Sequence, residues 1–332
     1  MKKYSVIVPV YNRISEVEDL LSSLAAQSFR DFEVIIVEDG STEPCENAVR
    51  RYADKVDVKY FYKENEGRSI ARNYGIEHSE GSYLIFFDSD CVIPPHYFDT
   101  LDRCLTSTPL DCFGGPDAAH DSFSDTQKAI SFAMTSFITT GGIRGGKIQM
   151  EKFVPRSFNM GYTREVYNKV GGFREMFSED IDMSTRIRQA GFSIGLLRDA
   201  FVYHKRRIDF RKFWRQVHVF GMSRITLKLL YPGSMKLVHT LPALAVIIGF
   251  VLLLLGILDS PLWLLPLAIY LIALFLTALA STRSFKIALL ALPAGVVQIC
   301  GYGTGFIRAY FTKIILGRGR DIDQEIAMRK GK

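Results

Sequence analysis

The chain has 332 residues, of which 48% are hydrophobic, and a formal net charge of +6 at pH 7. That length allows one large domain or two modest ones. The five scattered cysteines form no C-x-x-C pair, which argues against a disulfide framework or zinc site and indicates a reducing compartment. Positive charge is concentrated in residues 203–236, with nine Lys or Arg and one acid. Because apolar segments follow directly, the expected partner of this stretch is anionic membrane lipid and not nucleic acid.

Through the first 115 residues, short apolar runs alternate with amphipathic segments. The predicted strands are 5–10, 34–37, 58–62, 83–87 and 112–115, and the predicted helices are 15–27 and 68–78. Ser15 is the expected cap of the first helix, with Leu20, Leu21 and Leu24 on its inner face. Continuous apolar strands that alternate with helices indicate an α/β fold with a mostly parallel sheet. The first run is too short for a signal peptide, so we expect this domain to remain in the cytoplasm.

Two later segments leave alternatives open. Residues 117–157 are weakly patterned, with glycine pairs on both sides of Arg144, and form either a mobile loop near the site or a plain surface excursion. In residues 208–236, apolar side chains recur at three-to-four spacing between Phe210 and Phe220. This spacing predicts an amphipathic helix in the membrane interface, and the alternative is a helix packed on the first domain.

Three segments of 21 residues without formal charge follow, at 238–258, 261–281 and 287–307. Each is long enough to cross a bilayer core, which predicts an all-α transmembrane region over 237–307 and a basic tail over 308–332. We expect three spans, with the first domain held inside by the basic stretch that precedes them. The basic tail then lies outside, against the positive-inside rule. Prolines and glycines in the later segments favour the alternative of two spans with a re-entrant segment.

The side chains that follow the strand 83–87 carry the most chemical information. Residues i and i+2 of an extended chain point the same way, so Asp88 and Asp90 share one side. Ligands of α/β sheets bind at the carboxyl ends of strands, and paired carboxylates suit a hard divalent cation that bridges to phosphate oxygens. The alternative is a polar turn that merely ends the strand.

Other loops carry weaker signals. Glu38-Asp39-Gly40-Ser41 ends a strand with acids and a flexible turn, which is a common way to hold a sugar or a base edge. The stretch 65–75 supplies small residues for close backbone approach, and Arg72 for an anion or a base carbonyl. The first strand is not followed by G-x-G-x-x-G, and the chain has no G-x-x-x-x-G-K-[ST], which disfavours a nicotinamide-dependent dehydrogenase.

Six short motifs, taken in order, resemble the family 2 glycosyltransferases with the GT-A fold. They are Ser5-Val-Ile-Val-Pro9-Val-Tyr11-Asn12, Val37-Glu38-Asp39-Gly40-Ser41, Ala71-Arg72-Asn73, Asp88-Ser89-Asp90, Gly171-Gly172-Phe173 and Glu179-Asp180. The resemblance covers roughly residues 4–225. It implies a Rossmann-like GT-A catalytic domain over 1–207, ahead of the transmembrane region.

The resemblance implies a set of donor-binding residues. They are Pro9, Tyr11, Asp39, Arg72, Asp88 and Asn159. Pro9 and Tyr11 would line the nucleobase pocket, and Asp39 would accept a hydrogen bond from a base such as uracil. Arg72 would lie near the base or the diphosphate, while Asn159 would border the phosphates.

The resemblance also implies metal-binding and catalytic residues. Asp90, together with Asp88, would bind Mg²⁺ or Mn²⁺ against the donor diphosphate. Asp180, beside Glu179 at a helix start, would be the base that deprotonates an incoming hydroxyl. The alternative for these two acids is a first helical turn set against the helix dipole. Some GT-A enzymes take a further ligand near the position of His204, although we expect a basic surface residue there.

Together these features predict a membrane-anchored, inverting glycosyltransferase of the inner or plasma membrane, with a cytoplasmic catalytic domain. It would move one sugar from a nucleotide-sugar donor, preferably a UDP-sugar, to a hydroxyl of a lipid-linked saccharide or envelope glycan. A single displacement from the opposite face inverts the anomeric configuration. The alternative acceptor is polyprenyl phosphate, whose oxygen is already an anion. Phe213-Trp214-Arg215-Gln216 does not match the Q-x-x-R-W stretch of processive synthases.

Overall fold

The computed structural model describes residues 2–118, 120, 123–141, 153–205 and 209–319. These residues form two compact units. Met1–His120 and Phe153–Lys205 belong to the first unit, and Asp121–Lys152 and Arg206–Ala327 to the second. The predicted loop around Arg144 and the end of the basic tail lie outside the described residues.

The first unit is built on a mostly parallel sheet. The strands of the described residues are β1 (Tyr4–Val10), β2 (Phe32–Asp39), β3 (Val58–Lys63), β4 (Tyr83–Phe87), β5 (Cys91–Val92), β6 (Cys112–Gly114), β7 (Asp117–Ala118), β8 (Asn159–Thr163), β9 (Ile194–Leu196) and β10 (Val202–His204). Seven of them form one sheet in the order β3-β2-β1-β4-β8-β6-β9. Neighbours in this sheet run parallel, except that β8 is antiparallel to β4 and β6. The predicted sheet type is confirmed.

Helices of the first unit pack on both faces of this sheet. The α-helices of the described residues are α1 (Ile14–Ala25), α2 (Glu46–Arg50), α3 (Arg68–Glu77), α4 (Tyr97–Ser107), α5 (Asp125–Thr135), α6 (Phe137–Thr140), α7 (Arg164–Val170), α8 (Glu179–Gln189), α9 (Phe210–Leu230), α10 (Leu241–Leu258), α11 (Leu265–Thr282) and α12 (Phe285–Ala309). Successive strand residues point to opposite faces. Val6 and Val8 therefore join an apolar cluster with Leu20 of α1, whereas Ile7 joins a second cluster with Ala71 of α3.

The first helix begins earlier than the sequence predicts. Asn12 adopts the left-handed conformation, with φ of 53°, and the chain turns into α1 with Arg13 as the N-cap residue. The amide of Val17 already donates to the carbonyl of Arg13, at 3.0 Å. The predicted Ser15 cap is therefore wrong, because Ser15 lies inside the first turn and donates to Glu16 at 2.9 Å. The predicted inner face, Leu20, Leu21 and Leu24, is confirmed as buried.

A small second sheet in the first unit has the order β5-β10-β7. Strand β10 is antiparallel to β5 and parallel to β7. In this register His204 pairs with Cys91, the residue that follows Asp90. The small sheet thereby fixes the last residue of β10 beside the loop that leaves β4.

The second unit contains α5, α6 and α9 to α12. Its described residues include three helices long and apolar enough to cross a membrane: Leu241–Leu258, Pro261–Thr282 and Phe285–Ile315. They fit the predicted transmembrane region. The predicted amphipathic helix is α9, in which Phe213 and Val217 are fully buried and Trp214 remains exposed.

Candidate active site

The loops that follow three neighbouring strands meet at one edge of the large sheet. Because β1, β2 and β4 run parallel, their carboxyl ends share that edge, where α/β folds bind ligands. Strand β2 ends at Asp39, and Asp88 follows β4 directly. The polar residues singled out from the sequence therefore gather in one region.

Asp88, Asp90 and His204 come together beside this edge. Nε2 of His204 lies 3.1 Å from Oδ1 of Asp90 and 4.0 Å from Oδ2 of Asp88. Nδ1 of the same ring lies 4.0 Å from Oδ2 of Asp117, and the ring stacks on Phe158 with centroids 4.7 Å apart. His204 is thus a half-buried member of the acidic cluster and not the basic surface residue that the sequence suggested.

The donor atoms of this cluster suit a hard divalent cation. Ligand atoms of Asp90, Cys91 and His204 all lie within 4.8 Å of one another. Burial, with the nearby Asp90 charge as a second cause, raises the pKa of the Cys91 thiol well above its usual range. A thiol is also a soft ligand, which matches a hard divalent cation poorly. Asp90 and His204 remain, with Oδ2 of Asp88 4.0 Å from the imidazole Nε2, and carboxylate oxygens are ligands that Mg²⁺ and Mn²⁺ prefer.

Arg72 links this cluster to the start of α8. Its side chain is fully buried, and Nη2 donates to Oδ1 of Asp88 at 2.7 Å while Nη1 donates to Oε1 of Glu179 at 2.9 Å. The guanidinium also lies 5.5 Å from the ring centre of Phe173, within cation–π range. The group predicted to approach the donor is therefore held by two carboxylates of the protein itself.

The two acids at the start of α8 have different surroundings. Glu179 is 1% exposed and is clamped by Arg72 and by Arg68, which donates to Oε2 at 2.7 Å. Asp180 is more open. Its Oδ1 accepts the amide of Ile181 at 2.8 Å, and its Oδ2 lies 3.6 Å from Nη1 of Arg156. Of this pair, Asp180 is the more exposed acid.

The carboxylate of Asp39 organises the loop that follows β3. Oδ1 accepts from the Lys63 ammonium and the Glu66 amide, each at 3.0 Å, and Oδ2 accepts from the Gly67 amide at 2.9 Å. Burial lowers the pKa of Lys63, but hydrogen bonds to Glu66 and Asp39 outweigh it and raise that pKa. Gly67 has φ of +100°, and a Cβ there would meet Glu175, so this loop requires glycine.

The remaining predicted donor-binding residues differ in solvent exposure. Pro9 is half-buried near the end of β1, and Tyr11, just beyond it, is 50% exposed. Asn159 is fully buried at the start of β8. Its Oδ1 accepts the Tyr97 hydroxyl at 2.6 Å, and its Nδ2 donates to the Ala200 carbonyl at 2.8 Å. Asn159 thus ties β8 to its neighbours, whereas Tyr11 is accessible.

Sequence reasoning missed three charged residues of this region: Arg68, Asp117 and Arg156. Arg68 and Arg72 are four residues apart in α3 and therefore lie on one helix face, which was a usable signal. Asp117 and Arg156 come from distant parts of the chain, and no local pattern marks them. Their positions depend on the sheet topology.

Comparisons with known proteins agree with this geometry. The family model described as glycosyl transferase family 2 matches residues 5–171, half of the chain. An uncharacterised glycosyltransferase of Rickettsia bellii is 44% identical over 88 residues, which are 26% of this chain and only 13% of that protein. The chain thus spans far less than two thirds of this relative. Glycosyltransferase AglE of Haloferax volcanii is 26% identical over 263 residues, or 74% of this chain and 80% of that protein.

Among solved structures, the mannosyltransferase PcManGT from Pyrobaculum calidifontis, in complex with GDP-Man and Mn²⁺, has a similar fold. The TM-score is 0.56 at 19% identity, with 94% of this chain and 87% of that chain covered. At that identity the likeness concerns the fold alone. The family match and the shared fold confirm the resemblance drawn from the six motifs, including the GT-A-type architecture.

Proposed function

This chain belongs to glycosyl transferase family 2, and on that premise we propose that it is a membrane-anchored, inverting glycosyltransferase. It moves one sugar from a nucleotide-sugar donor to a hydroxyl of a lipid-linked saccharide or another envelope glycan. The observation that carries the proposal is the division of the site into two ends. One end holds Asp88, Asp90 and His204, the other holds Asp180, and Arg72 bridges Asp88 to the residue beside Asp180.

At the donor end, Asp88, Asp90 and His204 would hold Mg²⁺ or Mn²⁺. When bound, such a cation stabilises the negative charge that develops on the nucleoside diphosphate leaving group. Asp88 is well placed for this task, because its side chain is 31% exposed and Arg72 fixes one of its oxygens. PcManGT holds Mn²⁺ together with a nucleotide sugar, which supports a cation of this kind here.

A UDP-sugar is the favoured donor. In the described part of the chain, Oδ2 of Asp39 accepts one hydrogen bond, from Gly67, and a carboxylate oxygen can accept a second from a base N–H. The exposed ring of Tyr11 would stack on the base, and Pro9 would complete the pocket wall. Asn159 would contribute indirectly, by holding β8 against Tyr97.

At the acceptor end, Asp180 would take the proton from the attacking hydroxyl. Arg156 orients this carboxylate through Oδ2, and Arg72 and Arg68 hold the neighbouring Glu179 in place. The deprotonated oxygen forms a bond to the anomeric carbon as the bond to the diphosphate breaks. Because attack comes from the face opposite the leaving group, the anomeric configuration inverts.

The chain would act at the cytoplasmic face of the inner or plasma membrane. Residues 1–207 would form the catalytic domain, 208–236 an interfacial region, and 237–307 the membrane helices ahead of the tail 308–332. Arg211, Lys212 and Arg215 are exposed on the first turns of α9 beside Trp214, which suits anionic headgroups and the interface.

Donor turnover tests this proposal directly. Purified protein in detergent is incubated with a panel of nucleotide sugars and Mg²⁺ or Mn²⁺, with and without membrane lipid extract. We expect slow hydrolysis of a UDP-sugar that becomes faster with extract, and NMR should show an initial product of inverted configuration. Absence of consumption across the whole panel, or retention of configuration, would contradict the proposal.

A further inference from the structure

Helix α12 differs from the two apolar helices before it. We infer that α12 does not cross the bilayer but lies across the α10–α11 hairpin at the membrane surface. The chain then crosses the membrane twice and returns to the side of the catalytic unit. This inference concerns the second unit alone and does not depend on the proposed reaction.

The first observation is the distribution of exposed side chains. Only 6% of the apolar window of α10 and 11% of that of α11 is buried, against 33% for α12. The exposed apolar residues of α12 form one stripe. They are Phe285, Leu289, Val296 and Ile307. Spacings of four, seven and eleven residues place them on a single helix face, as expected of a helix that lies in an interface.

The second observation concerns the parts of α10 and α11 that α12 contacts. A Cβ built on Gly249 of α10 would lie 3.9 Å from the side chain of Leu267 of α11. Two successive spans cross the bilayer in opposite directions. The start of α10, with Pro242, and the second half of α11, with Leu274, therefore lie toward the same membrane surface.

Helix α12 touches both of these residues. A Cβ on Gly295 would lie 2.5 Å from the side chain of Leu274, and one on Gly303 would lie 2.5 Å from the carbonyl oxygen of Pro242. Eight residues, or about 12 Å of helix, separate these two contacts, yet neither lies near the loop that connects α10 and α11. A third span would carry the end of α12 toward that loop. Helix α12 instead contacts the start of α10 close to its own end.

The third observation is the charged helix that accompanies α12. Phe213 of α9 and Ala294, near the middle of α12, belong to one apolar cluster. The exposed residues next to Phe213 include Arg211, Lys212 and Arg215. A spanning α12 would bring these cations close to the bilayer centre, where each is strongly disfavoured. At the surface, the same cations meet anionic headgroups.

Two crossings also agree with the charge of the tail. Residues 308–332 carry seven Lys or Arg and three acids. With two spans this tail lies on the same side as the basic stretch 203–236, as the positive-inside rule requires. Three spans would separate the two basic regions.

Cysteine labelling in intact cells tests the number of crossings. In a background with Cys104→Ser and Cys300→Ser, the exposed positions Glu43, Asp259 and Leu316 are replaced singly by cysteine. With a membrane-impermeant maleimide, we expect Glu43→Cys and Leu316→Cys to behave alike and Asp259→Cys to show the opposite accessibility. Permeabilised cells should label all three. If Leu316→Cys behaves like Asp259→Cys, the inference is wrong.

Depth measurements test the orientation of α12. Nitroxides at Leu289→Cys, near the start of α12, and Val296→Cys, near its middle, are seven residues apart, which is about 10 Å along the helix. Relaxation by oxygen and by a water-soluble nickel chelate should give similar depths in anionic vesicles. The matched pair Leu244→Cys and Val251→Cys, near the start and the middle of α10, should differ by about 10 Å. All four positions are exposed, so the folded state should tolerate the label. A depth difference above about 5 Å between the α12 positions, half their separation, would overturn the inference.

Discussion

At the scale of single residues, three carboxylates of the site differ in how firmly other protein groups hold them. Glu179 is enclosed by two arginines, and Asp88 shares one oxygen with Arg72 and directs the other toward His204. Asp180 is held on one oxygen by the amide of its neighbour. Both oxygens of Glu179 are paired with arginines, so this carboxylate has a structural role, whereas Asp88 and Asp180 are more exposed and can take part in the proposed chemistry.

Replacing the proposed base should separate binding from chemistry. In Asp180→Asn, we expect donor affinity to change little and turnover to fall by about 10²–10⁴-fold, because the amide keeps the size but cannot accept the proton. Glu179→Gln should instead reduce the thermal stability, since it weakens the partner of two arginines. Near-normal turnover of Asp180→Asn would shift weight to a polyprenyl phosphate acceptor, which needs no base.

Donor binding should require the divalent cation. We expect Asp90→Ala, or addition of a chelator to the unmodified protein, to weaken nucleotide-sugar binding in calorimetry by at least about tenfold, because the diphosphate would otherwise meet uncompensated carboxylates. The exposed Asp54 supplies the matched control, and Asp54→Ala should bind normally. Unchanged affinity in chelator would rule out the metal assignment.

At the scale of elements, a buried acid joins three strands at the sheet edge opposite the site. Glu33 of β2 accepts from Ser5 of β1 and from the amide of Glu80, each at 2.6 Å, and pairs with Lys59 of β3 at 2.9 Å. Burial alone would raise the pKa of Glu33, but these hydrogen bonds and the Lys59 charge lower it. An ionised side chain therefore links β1, β2 and β3 in addition to their backbone pairing.

Glu33→Gln should weaken the fold in a pH-dependent manner. At pH 7 we expect the free energy of unfolding to fall by about 1.5–3 kcal/mol, since charge-assisted hydrogen bonds are lost. A lowered folded-state pKa stabilises the protein above the unfolded value of about 4.3, and that gain disappears as the pH falls through the folded value. The difference in Tm from the unmodified protein should thus shrink below about pH 4. The exposed Glu43 provides the control Glu43→Gln, and a pH-independent difference would contradict the account.

Elements were predictable where their signal is local. Apolar runs located the strands through β4, so Asp88 directly follows a strand as expected. The extended backbone expected over Asp88–Asp90 is instead a turn, in which the Cys91 amide donates to the Asp88 carbonyl at 3.1 Å. The environment of His204 was not predictable, because it depends on the pairing of β10 with β5. The burial of Arg72 likewise depends on Glu179, 107 positions further along the chain. Such pairs follow from the topology of the sheet, which no window of sequence contains.

At the scale of the whole molecule, the two units are interleaved in the chain. Residues of the second unit, Asp121–Lys152, interrupt the first unit, which resumes at Phe153. The apolar side chains of α10 and α11 are largely exposed, because other parts of the protein do not cover them. Exposed apolar surface of that extent indicates a lipid environment.

Washing with salt distinguishes hydrophobic from ionic attachment of the protein to the membrane. At 1 M salt the Debye length falls to about 3 Å, so an attachment through the cations of α9 alone would be lost. We expect the protein to remain in the membrane pellet after washing with 1 M salt or alkaline carbonate and to require detergent for extraction. Release by salt would show that α10 and α11 are not inserted.

The interleaving has a consequence for the order of biosynthesis. Helix α5 packs its apolar residues Ala129 and Phe132 against Ala288 and Ala291 of α12. At about 5–20 residues per second, the ribosome needs on the order of 10–30 s to pass from one helix to the other. From about the middle of that interval the last strand of the first unit, β10, can already join its sheet, whereas α5 has no α12 to pack against until the interval ends. We expect the nascent chain to depend on a chaperone or on the translocation machinery during this period.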